Sequence, residues 1–169
     1  MTRRRLRDSA TVTTSAGLVV FRVREGTLQV LLGHMGGPYW SRRDDGAWSI
    51  PKGELSDGED ALAGALREYA EELGLAPPDD PVIELGEVSL RAGKQLVAFA
   101  VESEVDPAKL DPGTFELEWP PRSGRRQEFP EIDRVAWFDL ARAKRKVVQA
   151  QAGLLDRLAG RHARGCLEQ

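Results

Sequence analysis

Cysteine is almost missing from this chain, which has only Cys166 among 169 residues. A single thiol excludes an intrachain disulfide and any cysteine-built metal site, and it suits a reducing compartment. An excess of one charge is missing too. The 24 basic and 27 acidic residues leave a net charge of -3, so no overall field draws the chain to nucleic acid or to a membrane. No apolar run approaches the roughly 20 residues of a membrane span. The charged start is not followed by the apolar stretch of a signal peptide, so the cytoplasm is the expected location. Repeats and low-complexity blocks are absent. What is present is ordinary for a globular protein, with 41% hydrophobic and 30% charged residues. The length suits one domain with a sizeable core.

The basic run Arg3, Arg4, Arg5 and Arg7 reads as a solvated tail over residues 1–10, or as a weak anion-binding arm. Thr11–Val23 is rich in β-branched residues and predicts a strand, and Leu28–Leu32 a second one after Gly26, so the two form a hairpin. Gly36-Gly37-Pro38 and the stretch from Arg42 to Gly46 are loop signals. Trp48–Pro51 reads as a short extended piece, because the residue before a proline is pushed away from helix. Val82–Leu90 and Gln95–Val105 predict two more strands joined by a turn at Arg91–Lys94. The stretch Asp106–Glu131 is charged and rich in proline and glycine, with one β-like piece at Phe115–Trp119. A strand at Arg134–Phe138 precedes a helical end that starts at Asp139, with Leu154, Leu155 and Leu158 as its apolar face. The domain is expected over residues 11–160, with a C-terminal tail over 161–169. The order of elements predicts a mixed α/β fold with helices packed on a sheet.

The most informative stretch is Gly53–Leu75. Leu62, Ala65, Leu66, Tyr69 and Leu73 recur at helical spacing and predict a helix over about Glu59–Leu73. Asp57 or Gly58 suits its N-cap. Gly74 suits the position just past its C-terminus, and Pro77-Pro78 bar further helix. Glu68, Glu71 and Glu72 fall at i, i+3 and i+4, which gathers three carboxylates on one face. At helical spacing that face is expected opposite the apolar stripe, turned toward an open site. Like charges so placed cost a helix roughly 0.2–0.5 kcal/mol per pair, a cost that a bound cation would offset. Hard divalent cations prefer such carboxylate oxygens.

The same stretch resembles the Nudix box. That pattern is a glycine, five residues, a glutamate, seven residues, then Arg-Glu-aliphatic-X-Glu-Glu-X-Gly-aliphatic. Here the positions are Gly53, Glu59, Arg67, Glu68, Tyr69, Glu71, Glu72, Gly74 and Leu75. Tyr69 departs from it by standing where an aliphatic residue is wanted; because it faces the core, it reads as a packing adjustment. The resemblance implies an α/β/α sandwich around a mixed central sheet. It implies Mg²⁺ or Mn²⁺, and hydrolysis of a diphosphate linkage in a nucleoside diphosphate joined to another group. It further implies that Glu68, Glu71 and Glu72 hold the metal with the Gly53 carbonyl, that Arg67 steadies a neighbouring glutamate, and that Glu59 and Gly74 are structural.

The general base is either a box glutamate or a carboxylate outside the box, for which Glu118 and Glu128 are the candidates. Lys52 reads equally as a phosphate ligand or a solvated lysine. Arg42 and Arg43, near Tyr39 and Trp40, suit a substrate wall or plain surface. Arg122, Arg125 and Arg126 suit a polyphosphate or a solvated loop, and the length of their segment suits recognition. His34 and His162 have no metal-ligand partners at useful spacing. The expected partner is a small nucleotide or polyphosphate, with a dinucleoside polyphosphate as one option. No macromolecular nucleic acid or membrane is expected, and the chain reads as a monomer or homodimer. The alternative function is a sensor module of the same fold that binds a nucleotide without turnover.

Overall fold

The computed structural model describes residues 12–167. The basic run at the N-terminus and the tail expected over residues 1–10 lie outside the described residues. Five strands make the main path of one mixed sheet: β1 (Thr13–Arg24), β2 (Thr27–Met35), β3 (Trp48–Ser49), β5 (Val82–Arg91) and β6 (Lys94–Glu102), in the order β3-β2-β1-β6-β5. The short β4 (Lys52–Glu54) pairs with β1, and β9 (Ile132–Asp139) pairs with β2. The β1–β6 pair is parallel, while the other pairs are antiparallel. A separate hairpin, β7 (Thr114–Glu118) and β8 (Arg126–Pro130), stands off this sheet.

Successive side chains of a strand point to opposite faces, and β1 uses both. Ala16, Leu18 and Val20 meet Ala65, Tyr69 and Leu73 of helix α1 (Ala61–Leu73) on one side. Val19 and Phe21 meet Ala143 of α2 (Leu140–Lys146) and Leu154, Leu155 and Leu158 of α3 (Ala152–Leu167) on the other. The result is the expected α/β/α sandwich. Gln151 ties the second layer to the sheet. It is fully buried; its Oε1 accepts from the Ile50 N–H at 3.0 Å and its Nε2 donates to Ser49 Oγ at 3.0 Å. At the sheet edge, α3 reaches β5. Arg157 donates to the Leu85 and Glu87 carbonyls at 2.9 Å each, and Arg161 to the Glu84 carbonyl at 3.2 Å.

Three sequence expectations need correction. The cap of α1 is Asp60, not Asp57 or Gly58: its carboxylate accepts from the Ala63 N–H at 3.0 Å. Ser56 to Glu59 instead close a turn, with the Glu59 N–H on the Ser56 carbonyl at 3.0 Å. The charged stretch after residue 106 holds a complete hairpin, because Phe115 faces Phe129 across it with ring centroids 6.1 Å apart. Helix α3 runs on to Leu167, past the point where a C-terminal tail was expected to begin.

Candidate active site

Register places the site. Pairing of β4 with β1 sets Gly53 beside Ala16, and α1 lies across this part of the sheet. A side chain at Gly53 would fall on the Glu68 carboxyl group. Glycine is therefore required here for close approach, and the Gly53 backbone and the Glu68 carboxylate form one surface.

Arg67 organises the carboxylates. Its Nε and Nη2 grip both oxygens of Glu59 at 2.7 and 2.8 Å, a bidentate pair. Its Nη1 donates to Glu68 at 2.9 Å and Glu71 at 3.1 Å, and Nη2 reaches the Glu54 carbonyl at 3.2 Å. Glu59 also accepts from the Ser56 N–H at 3.1 Å. The guanidinium, followed by that N–H, holds the Glu59 carboxyl down at about 2. Glu59 thus joins the turn at Ser56 to Arg67 of the helix.

The three glutamates differ in setting. Glu71 is exposed, whereas Glu68 has a side chain only 14% exposed. Glu72 is half-buried and accepts from the Lys52 N–H at 3.2 Å. The expected position opposite the apolar stripe does not hold for Glu72. Residues advance about 100° each along a helix, so Glu72 flanks the stripe beside Leu73 and points into the groove by β4. Burial pushes its carboxyl up to about 8, against the pull of the Lys52 N–H, and the charges of Glu131 and Glu68 add to the rise.

Glu131 is the residue that sequence reasoning missed. It is the single residue between β8 and β9. Its N–H donates to the Gly113 carbonyl at 2.8 Å, while the Gly113 N–H donates to the Glu71 carbonyl at 3.2 Å. The base of the hairpin is thereby tied to the last turn of α1. Glu131 as a whole is exposed, but partial burial of its carboxyl, then the charges of Glu68 and Glu71, raise it. Its only sequence signal is its place three residues after Glu128, at the start of a strand.

Glu118 and Glu128 lie elsewhere. Glu118 is exposed and accepts from the Gly124 N–H in the hairpin turn at 3.1 Å. Glu128 is exposed opposite Glu116. Among the described residues, no hydrogen bond or ion pair joins either to the box. Arg126 pairs with Glu116 at 3.2 Å on the exposed hairpin surface. Tyr39, 57% exposed, meets Trp119 edge-to-face at 5.2 Å and so links its loop to the hairpin turn. Arg42 is exposed, and the Arg43 guanidinium lies 5.5 Å from the Trp40 ring centre. His34 is a structural post. Its Nδ1 meets Asp133 at 2.9 Å and its Nε2 meets the Arg43 carbonyl at 2.7 Å, which fixes that loop.

Among the described residues, no three histidine, cysteine, aspartate or glutamate side chains stand ready to hold a metal ion together. The contacts explain this, because Arg67 engages Glu68 and Glu71 while Glu72 turns to the Lys52 N–H. The donor set still fits a hard divalent cation. It is oxygen only, it packs against a backbone with no intervening side chain, and burial, with neighbouring carboxylates, holds the carboxyls of Glu72 and Glu131 above their ordinary range.

A family model for the NUDIX domain matches residues 12–158. A curated relative from Bifidobacterium longum, a nucleoside triphosphate pyrophosphatase/Nudix hydrolase fusion protein, is 34% identical over 85 residues, covering 48% of this chain and 17% of its own length. The chain thus spans less than a fifth of that relative. Solved structures agree in fold. The NUDIX domain of Shewanella oneidensis NrtR complexed with ADP ribose superposes with a TM-score of 0.57 at 18% identity, covering 88% of this chain and 86% of that one. A C. elegans Ap4A hydrolase binary complex gives 0.56 at 20%, covering 90% and 98%. A mutT/nudix family protein from Listeria innocua gives 0.61 at 18%, covering 94% and 99%.

Proposed function

This chain belongs to the NUDIX domain family, and from that premise we propose that it is a Mg²⁺- or Mn²⁺-dependent pyrophosphohydrolase. Its substrate is a nucleoside diphosphate linked to a further group, with a dinucleoside polyphosphate as the favoured form. The observation that carries this reading is the gathering of Glu71, Glu72 and Glu131 about Glu68, which lies against the bare Gly53 backbone. Glu68, Glu71 and Glu72 would hold the cation with the Gly53 carbonyl. A cation held there would neutralise phosphate oxygens and make water a better nucleophile.

The chain's own groups supply the rest. Water attacks one phosphorus of the diphosphate bridge, a new P–O bond forms, and the bridging P–O bond breaks toward the departing phosphate. Glu131 takes the proton of the attacking water. Among the described residues no arginine or backbone N–H engages its carboxylate, and burial with the charges of Glu68 and Glu71 raises its affinity for protons, as a base requires. Arg67 keeps Glu68 and Glu71 in place. Lys52, whose charge already acts on Glu72, meets the substrate phosphates. Tyr39, Arg42, Arg43 and Arg126 would contact the rest of the substrate.

The test is a panel of dinucleoside polyphosphates, nucleotide sugars, dinucleotide coenzymes and oxidised nucleoside triphosphates. Each is assayed with Mg²⁺, Mn²⁺ or EDTA, and products are identified by mass. Glu72→Gln is expected to lose turnover by orders of magnitude with its fold intact, and unchanged turnover in that variant would sink the reading. The second reading, a nucleotide-binding module without turnover, is favoured by the Arg67 contacts that occupy two of the three motif carboxylates. Saturable nucleotide binding with no metal-dependent product would select it.

A further inference from the structure

The box helix also borders a cavity of about 570 Å³ on its other side, away from the glutamates. The one departure from the motif reaches it. Tyr69 is 1% exposed, with its ring in the α1-side core. No described residue bonds its hydroxyl, yet no sealed side-chain oxygen among the described residues lacks a partner. The hydroxyl is therefore not sealed, and Tyr69 is among the residues that line the cavity. A tyrosine hydroxyl carried so deep into a core ordinarily has a partner.

The walls indicate the partner's chemistry. Arg22 and Arg24 stand two apart on β1, so they share a strand face. Both guanidinium groups converge on a single oxygen, Glu104 Oε2, at 3.0 and 3.3 Å. Arg22 is held in advance by the Trp137 ring, 4.1 Å away, and by Gln29 at 2.9 Å. Lys109 adds a third cation. Of the two carboxylates present, Asp106 is committed to the Ala108 N–H at 3.0 Å. Glu104, 62% exposed, is the chain's own anion in the arginine fork. Leu75, Val105 and Pro107 give the cavity an apolar side. Its volume is in the range of small-molecule sites, roughly 300–1,000 Å³.

We propose that this cavity binds a phosphate monoester with a ring-bearing body, of the size of a nucleoside monophosphate. The phosphate displaces the Glu104 carboxylate from between Arg22 and Arg24, and the body reaches the Tyr69 hydroxyl. Glu104 is then an internal competitor that a doubly charged ligand outbids. The site is separate from the acidic cluster but shares its helix, since Tyr69 is the neighbour of Glu68.

The test uses the full chain in EDTA, titrated with adenosine 5′-monophosphate, inorganic phosphate and adenosine, and read by calorimetry and tryptophan fluorescence. Trp137 reports directly, because Arg22 covers its ring and its Nε1 donates to the Val105 carbonyl at 3.1 Å. The monophosphate is expected to saturate, phosphate to bind more weakly and adenosine not to bind. Arg24→Ala should weaken monophosphate binding roughly ten- to a hundredfold, the worth of a charge-assisted contact. Glu104→Gln should tighten it, and Tyr69→Phe should weaken binding of the monophosphate but not of phosphate. Arg24 and Glu104 are exposed, so both variants are expected to fold, which circular dichroism checks. No saturable monophosphate binding, or binding that Arg24→Ala and Glu104→Gln leave unchanged, overturns the proposal. Neither result bears on hydrolysis, because the readout needs no metal and no turnover.

Discussion

Single atoms decide much of this site. A methyl group at position 53 would occupy the space of the Glu68 carboxyl. Gly53→Ala is therefore expected to fold but to lose at least about a hundredfold in turnover, the usual cost of a displaced reacting group; steady-state kinetics beside a dichroism spectrum check it. Glu72 carries a pH signature. Burial raises its carboxyl to about 8 in the folded chain, while an unfolded glutamate titrates near about 4.3. Between those values the folded chain keeps a proton that the unfolded chain has lost. Stability of the cation-free protein should therefore fall as pH rises from about 4.3 to about 8 and level off above. Glu72→Gln should flatten this slope and stabilise the cation-free protein at pH 8 by on the order of 1–3 kcal/mol. Urea melts in EDTA at several pH values measure it, and a variant curve parallel to the wild-type curve would contradict it.

Helix α1 shows at the scale of an element what sequence patterns reveal and what they hide. Its body was legible because Leu62, Ala65, Leu66, Tyr69 and Leu73 repeat at its own period. Its end was legible because Gly74 adopts a φ of 64°, where its N–H meets the Ala70 carbonyl. Its cap was not, because Asp57 and Gly58 of the preceding turn are the same residue types that cap helices. Strand β8 was hidden for another reason. Arg126-Gln127-Glu128 has little β-propensity, and it is a strand because β7 and the Phe115–Phe129 contact make it one. Glu131 inherits that obscurity, since its place beside the box depends on Gly113 meeting the carbonyl of Glu71. A prediction belongs at this scale. Gly74→Ala adds left-handed strain of about 1 kcal/mol and a clash with the Asp111 carbonyl. Asp111 and Gly113 both hang from the last carbonyls of α1, so this variant should lose turnover as well as stability, read from paired melts and rates.

Across the whole molecule, one sheet divides two cores, and the acidic cluster lies on the α1 side. Strand β1 was legible in its β-branched run and the second layer in the Leu154, Leu155 and Leu158 face, all three fully buried, while the sandwich itself was implied by the resemblance to the Nudix box. The Gln151 link was not, because a lone glutamine carries no pattern and its bonds to Ser49 and Ile50 span a hundred residues. Leu155→Ala should cost about 2–5 kcal/mol, seen as an earlier urea midpoint. Fluorescence and dichroism should still report one shared transition. KM should stay where it was, because α3 lies across the sheet from the acidic cluster.

The arginines that α3 extends to β5 bear on how the molecule behaves in company. The carbonyls of Glu84, Leu85 and Glu87 would otherwise be docking points for a strand from another copy. Guanidinium groups already occupy them, so at this border the sheet is a chain-terminated polymer. Arg157→Ala combined with Arg161→Ala should remove the terminator, and light scattering at high protein concentration should show assemblies that the parent chain does not form.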